Sequence, residues 1–591
     1  MPHPKADDRL IIANCSGFYG DRFSAAKEMI TGGEIHVLVG DYLAELTMAI
    51  LFRNKVKDPA TGYAVTFLKQ MEQCMGLCLE KGIRVVVNAG GLNPKGLSLS
   101  LKKIAETLGL HPKIAWIEGD DLMPRLPSLT QEGESFTHLD KGIALAASGL
   151  KPLTANAYLG CWGIVEALNQ GADIVVGGRI ADAALVTGPA AWHFHWRKDE
   201  WDKLAGAMVA GHIIECGAQA TGGNYSFIDE IPSYEKVGFP MAIMEADGAS
   251  VITKHPGTGG LVSVGTVTAQ LLYEIETPNY LTPDVIARFD TIELAESGKD
   301  QVRVSGTKGL PPTGKAKVCI NTMGGFQNTM TVLLTGLDMD KKAAIVEKTL
   351  FSALGGKECF AKTKIQLLRS ARENPATNEE AFAFLRISVM DFDKDKVGRL
   401  FSSKVVDLAL SNIPGFNLTA PPSAGNPAII HWPALISKKH LKEIVHCDDS
   451  QILVEQVMGE DEMPLAQSFE KSEEFMFKDF VSAPLGKIFA TRSGDKGGNA
   501  NLGIWAKTSE AYAFLESFLT VEKLYALFED LRPYEISRYE FPRLKALNFY
   551  IKGFLGDGVA ASFKIDPQAK TLGEYVRARV VEIPASLLKE P

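Results

Sequence analysis

Residues 83–108 read IRVVVNAGGLNPKGLSLSLKKIAETL, and this stretch decides the fold. A short β-branched run, Ile83–Val87, is followed by a glycine-rich polar turn and then by an amphipathic segment that ends near Leu108. Fully apolar strands that alternate with helices are typical of βαβ units around a buried parallel sheet. The stretch therefore predicts one such unit, with its polar turn at the carboxyl end of the strand.

The same pattern recurs on both sides of this stretch, from the N-terminus to about residue 230. Further apolar runs that end in polar turns are Leu10–Ala13, Ile35–Val39, Ile114–Ile117 and Asp173–Val176. In open α/β sheets, ligands bind just outside the carboxyl ends of the strands. We therefore predict an α/β fold with a mostly parallel sheet, and a ligand site at the turns that follow its strands.

The chain beyond residue 230 has a different composition. Residues from about 230 to 335 are rich in Gly, Thr, Val and Pro, which predicts strands and turns, and residues from about 340 to 412 alternate as helix, strand, strand and helix. Acidic residues predominate from 447 onward, as is typical of a solvated connector. We expect an N-terminal region over 1–446 that includes an α+β unit, an acidic linker over 447–483 and a small α+β domain over 484–591.

The composition excludes several function classes. The 591 residues are 46% hydrophobic and 23% charged, which is ordinary for a soluble protein of several domains. A net charge of −9 without a basic stripe argues against nucleic-acid binding, and no stretch reaches the roughly 20 apolar residues of a membrane helix. Eight scattered cysteines read as free thiols in a reducing compartment, and Met1–Leu10 lacks the apolar region of a secretory signal, so we expect a cytoplasmic protein.

Standard catalytic and cofactor motifs are missing from the sequence. Residues 309–316, GLPPTGKA, resemble a phosphate-binding loop, but Ala316 replaces the hydroxyl residue that would hold magnesium. There is no well-placed G-x-G-x-x-G for a nicotinamide cofactor and no G-x-S-x-G nucleophile elbow. Cys74 and Cys78 lie one helical turn apart without a second pair, which favours core cysteines over a zinc site. We expect no cofactor and no metal.

The densest polar cluster is residues 490–503, ATRSGDKGGNANLG, between two apolar strands. Glycines let backbone N–H groups converge on an anion, and Arg492 and Lys496 could neutralise a carboxylate or phosphate. Asp495 between two cations is expected to stay ionised, as a base or an orienting group. Asn499 and Asn501 belong to the same expected binding loop. The alternative is a plain hairpin turn with a solvated ion pair.

Two further candidates follow the first two strands. Ser16, Asp21 and Arg22 lie near a helix start, where free N–H groups favour anions; helix capping by Asp21 is the alternative. Asp41 and Glu45 are spaced as neighbours on one helix face and could divide acid and base roles. Alternatively, Asp41 caps a helix that begins at Tyr42 and Glu45 is a surface residue.

Arg179 and Asp182 form the remaining candidate pair. Arg179 leaves a buried strand at the end where a substrate would bind, and Asp182 could pair with it; a purely structural ion pair is the alternative. Cys216 could be a nucleophile, but no histidine can be assigned to it from the sequence. His212 and Glu215 share a helix face at a spacing that metal sites use, although one such pair is common by chance.

These segments together resemble the acyclic terpene utilisation family. The matching stretches are ANCSGFYGDR (13–22), GDYLAELT (40–47), NAGG (88–91), VGGRIAD (176–182), ECGAQATGG (215–223) and RSGDKGGNANLG (492–503). The resemblance spans nearly the whole chain. It implies a long N-terminal domain followed by a small C-terminal ferredoxin-fold domain. It also implies that the protein belongs with the acyl-CoA carboxylases, hydratases and dehydrogenases of branched-chain catabolism. It supplies no catalytic residues.

We therefore expect an intracellular catabolic enzyme that acts on a branched or isoprenoid-like acyl-CoA or carboxylate by C–C lyase or hydratase/dehydratase chemistry. Such chemistry needs a base and oriented positive charge but no redox cofactor. The expected catalytic residues are Asp495, Lys496, Asp41 and Glu45. The expected substrate-binding residues are Arg492, Asn499, Asn501, Ser16, Asp21, Arg22, Arg179 and Asp182.

The expected partner is a small anionic substrate, with neither nucleic acid nor membrane, and the chain is compatible with a homo-oligomer. Two alternative functions stay open on the sequence alone. One is a non-catalytic accessory or binding subunit for an acyl-CoA carboxylase or hydratase. The other is a metal-dependent hydrolase that uses His212 and Glu215.

Overall fold

A computed structural model describes residues 9–460 and 475–588. Residues 461–474 of the expected acidic linker, and the two chain ends, lie outside the described residues. The α-helices of the described residues are α1 (Ala25–Gly32), α2 (Glu45–Lys57), α3 (Val65–Lys81), α4 (Pro94–Leu108), α5 (Leu126–Gln131), α6 (Trp162–Asn169), α7 (Ala184–His193), α8 (Trp201–Ile214), α9 (Val264–Leu271), α10 (Met339–Leu354), α11 (Phe401–Val406), α12 (Ser509–Phe518), α13 (Val521–Leu527) and α14 (Leu572–Arg577).

The strands, also numbered in chain order, fall into two groups. Those before the linker are β1 (Arg9–Asn14), β2 (Val37–Gly40), β3 (Arg84–Val87), β4 (Ile114–Glu118), β5 (Pro152–Ala157), β6 (Ile174–Gly177), β7 (Pro240–Glu245), β8 (Ser250–Lys254), β9 (Asn279–Leu281), β10 (Ile286–Arg288), β11 (Glu293–Gly298), β12 (Gln301–Ser305), β13 (Lys308–Leu310), β14 (Lys315–Thr335), β15 (Lys362–Leu368), β16 (Phe382–Asp391), β17 (Asn417–Leu418), β18 (Asn426–Ser437), β19 (Glu443–Cys447) and β20 (Ser450–Val454). Those after it are β21 (Phe480–Pro484), β22 (Phe489–Lys496), β23 (Asn499–Ala506), β24 (Ile536–Phe541), β25 (Ala546–Ile551) and β26 (Val580–Pro584).

A large sheet with the order β11-β12-β8-β7-β1-β2-β3-β6-β4-β19-β20 organises the N-terminal region. Its centre, from β1 to β4, is parallel, and antiparallel strands extend it on both sides. The predicted α/β fold is confirmed. Alternate residues of the apolar strands pack in opposite directions: Val86 lies in the core with α6, α7 and α8, whereas Val85 and Val87 lie in the core with α1, α3 and α4. Cys74 and Cys78 of α3 belong to this second core, as the spacing indicated.

The β19–β20 hairpin continues this sheet to Val454, past residue 446 where we expected the N-terminal region to end. Its first strand pairs antiparallel with β4. Asp448 and Asp449 occupy the tight turn of the hairpin, whereas Val445 is fully buried. Acidic residues can occupy the turn between two paired strands. For this reason an acidic stretch of sequence does not by itself identify a linker.

A second sheet is built around β14, a strand of 21 residues. Its first half pairs with β18 and β5, and its second half with β16 and β17. Where the two halves meet, the register shifts between Met323 and Phe326, at Gly325, whose φ of +101° favours glycine. The helix, strand, strand and helix expected between 340 and 412 are α10, β15, β16 and α11.

The C-terminal domain is an antiparallel sheet, β22-β23-β25-β24, packed against α12, α13 and α14. Thr508 and Thr520 cap α12 and α13 by accepting hydrogen bonds from backbone N–H groups in the first turn. The β22–β23 hairpin lies against the segment that follows α9, where a Cβ atom on Gly503 would stand 2.5 Å from Leu272 Cβ. This docking brings the polar end of β22 to the large N-terminal region. Within the described residues, no helix has the length and apolar character needed to cross a membrane.

Candidate functional site

Polar side chains that follow several strands and helices gather where the two domains meet, at a partly exposed site that we call the cleft. We define this cleft by the following residues: Asp41, Glu45, Tyr158, Arg179, Asp182, Glu215, Glu274, Lys317, His431, Asp495 and Lys496. Five of the sequence-predicted side chains around it, from three separate motifs, act on one another electrostatically: Asp41, Glu45, Arg179, Asp182 and Lys496. The strand-end residues among them lie close together because consecutive strands of the parallel sheet deliver their turns to one edge.

Glu45 is the most heavily contacted carboxylate of the cleft. It is the first residue of α2, and its Oε1 atom lies 3.1 Å from the Tyr158 hydroxyl, 3.5 Å from Lys317 Nζ and 4.0 Å from His431 Nε2. Burial alone would raise its pKa, but Lys317, His431 and Arg179 together hold the pKa of Glu45 well below its usual range. Glu45 is therefore an ionised carboxylate at neutral pH.

Arg179 is held by three groups in a buried position just after β6. Its side chain is 2% exposed, and Nη1 lies 2.6 Å from Asp182 Oδ1. Nη2 donates to the Tyr158 hydroxyl at 3.0 Å, with the guanidinium carbon 4.1 Å from the Tyr158 ring centroid. Its backbone N–H donates to Asp120 Oδ2 at 2.9 Å. The predicted Arg179–Asp182 pair therefore exists, and it also supports the hydroxyl that contacts Glu45.

Asp41 is almost fully buried and does not cap a helix. Its Oδ1 accepts hydrogen bonds from Asn88 Nδ2 at 2.5 Å and from the Leu43 N–H at 3.1 Å, whereas α2 begins only at Glu45. Burial, reinforced by the nearby charge of Asp182, raises the pKa of Asp41 well above its ordinary value. The surroundings of Asp41 and Glu45 thus shift their pKa values in opposite directions.

His212 and Glu215 meet at the C-terminal end of α8. Nδ1 of His212 lies 3.2 Å from Glu215 Oε1, and the His212 side chain is almost fully buried. Burial, assisted by the positive charge of Lys496, lowers the pKa of His212 to about 4. Burial and Asp182 raise the pKa of Glu215 well above normal. No third His, Cys, Asp or Glu joins them in a metal-binding arrangement within 9–460 and 475–588.

Asp495 and Lys496 reach the cleft from a strand. The turn of the hairpin is confined to Gly497 and Gly498, so the polar residues that we expected in a loop lie in β22 and β23. A Cβ atom on Gly497 would stand 3.2 Å from His431 Cδ2, which places the hairpin turn beside the ring. The small residues of this segment let both strands pair fully while packing against the N-terminal region.

The pKa of Asp495 shifts in the direction opposite to the one that the sequence predicted. Burial, followed by the negative charges of Glu274 and Glu45, raises its pKa well above the ordinary value, and Lys496 offsets this only partly. Carboxylates from other parts of the chain therefore shift Asp495 toward its protonated form, whereas we expected an ionised side chain. Burial and the like charge of Lys317 lower the pKa of Lys496, whose Nζ lies 5.2 Å from the Tyr280 ring centroid.

Glu274 is a cleft residue that sequence reasoning missed. It follows α9, its backbone N–H donates to Asn501 Oδ1 at 2.9 Å, and its carboxylate lies 3.7 Å from Lys570 Nζ. Burial raises the pKa of Glu274 to about 7, against the opposing effect of Lys496. Tyr158, Lys317 and His431 were missed too. Tyr158 follows β5 and so matches the strand-end signal, but Lys317 and His431 lie inside strands, where nothing in the sequence marks them.

Asn499 and Asn501 have structural partners inside the interface. Asn501 is fully buried, and its amide donates to Leu272 O at 2.6 Å while its carbonyl oxygen accepts from Glu274. The Asn499 amide contacts the Tyr550 hydroxyl at 2.6 Å and Asp140 Oδ1 at 2.8 Å. Asn501 therefore positions Glu274, and Asn499 ties the hairpin to both domains.

Ser16, Asp21 and Arg22 stabilise their own turn. The Ser16 hydroxyl donates to Phe18 O, and Asp21 accepts from the N–H groups of Gly17 and Arg22 at 2.8 and 2.7 Å. Arg22 donates to Val237 O and pairs with Glu28 at 2.9 Å. Asp21 does not cap α1, which begins at Ala25. This segment contacts the cleft through Asn14, whose Nδ2 donates a hydrogen bond to the backbone oxygen of Glu215 at 3.1 Å.

Arg492 and Cys216 lie together on the other side of Glu274. The Arg492 guanidinium donates to Gln219 Oε1 and lies 4.3 Å from the Tyr273 ring centroid. Burial, followed by the charge of Glu215, raises the pKa of the Cys216 thiol well above its ordinary value. Cys216 is therefore a poor nucleophile, because the reactive form is the thiolate.

Cys319, His431 and Glu45 lie in the order of a nucleophile, base and carboxylate. Sγ of Cys319 lies 3.8 Å from His431 Nδ1, and His431 Nε2 faces Glu45. However, Cys319 is fully buried, and burial raises its pKa to about 12. Burial lowers the pKa of His431 to about 4, so the ring is neutral. Cys319 and His431 therefore help to position Glu45 and do not provide an attacking thiolate.

Two family matches together cover most of the chain. Residues 10–447 match the acyclic terpene utilisation family protein AtuA, and residues 483–582 match the AtuA ferredoxin-like domain. The first match contains the strand-end side of the cleft, and the second contains Asp495 and Lys496. A search of curated proteins gave no match.

Proposed function

The chain belongs to the acyclic terpene utilisation family, and from this premise we propose that it is a catabolic enzyme that acts on a branched or isoprenoid-like acyl-CoA or carboxylate. The reaction we propose is C–C bond cleavage or hydration/dehydration through an enolate-like species. The observation that carries this proposal is the contrast between Glu45, paired with Lys317 and with a lowered pKa, and Asp495, whose pKa is raised in the same cleft.

Proton transfer requires groups whose protonation states differ at the working pH. Environments that push the pKa values of neighbouring carboxyls apart are typical of acid and base pairs. Glu274, with a pKa of about 7, is suited to accept a proton at neutral pH, and Asp495, whose raised pKa favours the protonated form, is suited to donate one. Glu45 is too acidic to be an efficient base, so its role is to hold Lys317 and Tyr158 in place.

Binding of an anionic substrate requires positive charge on an accessible surface. The side chains of Glu45, Asp182, Lys317 and Glu274 are 29%, 31%, 33% and 37% exposed, so solvent reaches these groups. Lys317, whose pKa is raised beside Tyr158 and Glu45, supplies positive charge where a substrate carbonyl oxygen would become negative. Preorganised cations at such a position stabilise an enolate-like species.

Ligand screening followed by turnover tests this proposal. The intact protein is screened by thermal shift against branched acyl-CoAs, free CoA and the matching carboxylic acids, since a ligand at 100 times its dissociation constant adds about 2.7 kcal/mol to stability. Products formed from any ligand that binds are then identified by mass spectrometry. We expect a shift with an acyl-CoA or its acid but not with free CoA, followed by turnover.

Variants separate the proposed roles. Asp495→Asn should retain ligand binding and lose turnover, whereas Glu72→Gln, on the exposed face of α3, should behave as wild type. Full turnover by Asp495→Asn would contradict the proton-donor role. Binding without turnover by the wild type, with a carboxylase or hydratase co-purifying at fixed stoichiometry, would replace the enzyme with the accessory-subunit function.

A further inference from the structure

We propose that Lys496 forms an imine with a carbonyl carbon of the substrate, so that the substrate class is a ketone or aldehyde that also carries a carboxylate or thioester. This inference rests on the proposed function, because it specifies the C–C lyase branch of it. Its starting point is the position of Lys496 as the last residue of β22, inside the cleft and directly before Gly497.

The cations around the cleft differ in what holds them. Arg179 pairs with Asp182 and Lys317 with Glu45, whereas Lys570 lies 3.7 Å from Glu274. The Arg492 guanidinium donates to Gln219. Lys496, in contrast, has no carboxylate within 4.0 Å and no hydrogen-bond acceptor among the residues that the structure describes. An ammonium that only anchored the fold would be expected to have such a partner.

The surroundings of Lys496 favour a neutral amine. Its Nζ faces the ring of Tyr280, which stacks on Phe289 with centroids 5.1 Å apart, and this aromatic wall excludes water from one side. Burial and the charge of Lys317 lower the pKa of Lys496, although Glu274 and Glu45 oppose this. Lysines that attack carbonyl groups are activated in this way, by desolvation and a nearby second cation.

The covalent step balances without any further reagent. The Lys496 amine adds to the carbonyl carbon, and the resulting carbinolamine loses its oxygen as water to give the imine. Asp495, which interacts electrostatically with Lys496 and whose raised pKa favours the protonated form, can supply the proton that this loss of water requires. Ionised Glu274 can accept the proton released by nitrogen.

Cleavage then uses the protonated imine as the electron acceptor. In a β-hydroxy carbonyl substrate, the electron pair of the Cα–Cβ bond moves to the iminium, the β-hydroxyl gives up its proton to a base, and an aldehyde leaves. Protonation of the enamine at Cα and hydrolysis of the imine by one water release the second carbonyl product and free Lys496. The net reaction is one β-hydroxy carbonyl compound to two carbonyl compounds.

Reductive trapping on the wild-type protein tests this proposal. The full chain is incubated with 4-oxopentanoate, a ketone that carries a carboxylate, with and without sodium cyanoborohydride, and its peptides are mapped by mass spectrometry. We expect one reduced adduct, located on the peptide that contains Lys496 and dependent on the reductant. The absence of an adduct there, or equal labelling of exposed lysines such as Lys552, would overturn the proposal.

Lys496→Arg provides the matched comparison, because it keeps the positive charge but cannot form the imine. We expect the variant to keep the melting temperature of the wild type and to lose both the adduct and more than 99% of any cleavage activity found in the screen. Retained activity would show that Lys496 is only an electrostatic anchor, which leaves the proposed function intact. If neither protein turned over any carbonyl or thioester compound, the proposed function would fail instead.

Discussion

The Tyr158 hydroxyl donates a hydrogen bond to Glu45 Oε1 at 3.1 Å, although the two residues are 113 positions apart in the sequence. The same hydroxyl oxygen accepts a hydrogen bond from Arg179 Nη2 at 3.0 Å. Tyr158 therefore links a buried guanidinium to an ionised carboxylate. Burial raises the pKa of Tyr158 above its ordinary value, which keeps the hydroxyl proton available for donation.

Tyr158→Phe removes this link while preserving the ring. Hydrogen bonds to charged groups contribute about 1.5–3 kcal/mol, so we expect turnover of the ligand found by screening to fall about 10- to 100-fold. The protein should also be destabilised by about 1–3 kcal/mol, because Arg179 Nη2 loses its acceptor in a buried position. Tyr234→Phe, at an exposed site, is the control. Denaturant unfolding and steady-state kinetics measure both effects, and wild-type values for both would contradict the linking role.

The sequence predicted the side of the cleft formed by strand ends and missed the side formed by long-range packing. Asp41, Arg179 and Asp182 follow parallel strands, whose carboxyl ends must share an edge, so local pattern was sufficient to place them together. Lys317 and His431 lie within strands of a different sheet and reach Glu45 only because β14 and β18 pair. No periodicity in a single sequence encodes which strands from separate regions become neighbours. The raised pKa of Asp495 likewise depends on carboxylates, Glu274 and Glu45, that are distant in the sequence.

Glu274 should make stability depend on pH near neutrality. The folded-state pKa of Glu274 is about 7, above the value of about 4.3 in an unfolded chain. Between these pH values the folded state therefore binds more protons than the unfolded state. The contribution of Glu274 to the free energy of unfolding is full below about pH 4.3 and is lost as the pH rises through about 7. We expect Glu274→Gln to lose less stability than the wild type between pH 5 and about pH 8.

Melting temperatures across this range, on the wild type, Glu274→Gln and Glu72→Gln, provide the measurement. Asp41, Glu215 and Asp495 also have raised pKa values, so the wild-type slope should be reduced by the substitution without disappearing. Identical slopes for the wild type and Glu274→Gln would show that Glu274 is ionised throughout. Glu72→Gln should follow the wild type.

His212 should make the protein less stable as the pH falls, which is opposite to the effect of Glu274. Burial lowers its folded-state pKa to about 4, below the value of about 6.5 in an unfolded chain. The unfolded state therefore binds more protons between these values, and stability is full above about pH 6.5 and falls as the pH decreases toward 4. His212 packs against Tyr280 and Phe289, so a phenylalanine fits this apolar environment.

We expect His212→Phe to lose less stability on acidification than the wild type, by up to about 3 kcal/mol at pH 4. His111→Asn, at an exposed position, should show the full wild-type loss. Urea unfolding at a series of pH values between 4 and about 7 measures the difference. A variant as acid-sensitive as the wild type would show that His212 is protonated in the folded state.

Gly503→Ala should move the C-terminal domain away from the N-terminal residues of the cleft. A Cβ atom at this position would stand 2.5 Å from Leu272 Cβ and 3.2 Å from Leu272 O, so the two segments must move apart. Overpacking of this kind costs about 1–3 kcal/mol, and the movement displaces Asp495 and Lys496, which lie on the paired strand. We expect a lower melting temperature together with loss of ligand binding.

Gly76→Ala is the matched control for this prediction. Gly76 lies within α3, and the nearest atom to its added Cβ would be Leu110 Cδ1, at 3.7 Å. The methyl group is accommodated there, and replacing a mid-helix glycine by alanine stabilises a helix by about 0.5–1 kcal/mol. The two variants should therefore shift the melting temperature in opposite directions. If Gly503→Ala melted and bound ligand as the wild type does, the contact between β23 and Leu272 would not position the cleft residues. Asp495 and Lys496 would then be held in place by other contacts of the hairpin, such as the hydrogen bond between Ser226 and Thr491.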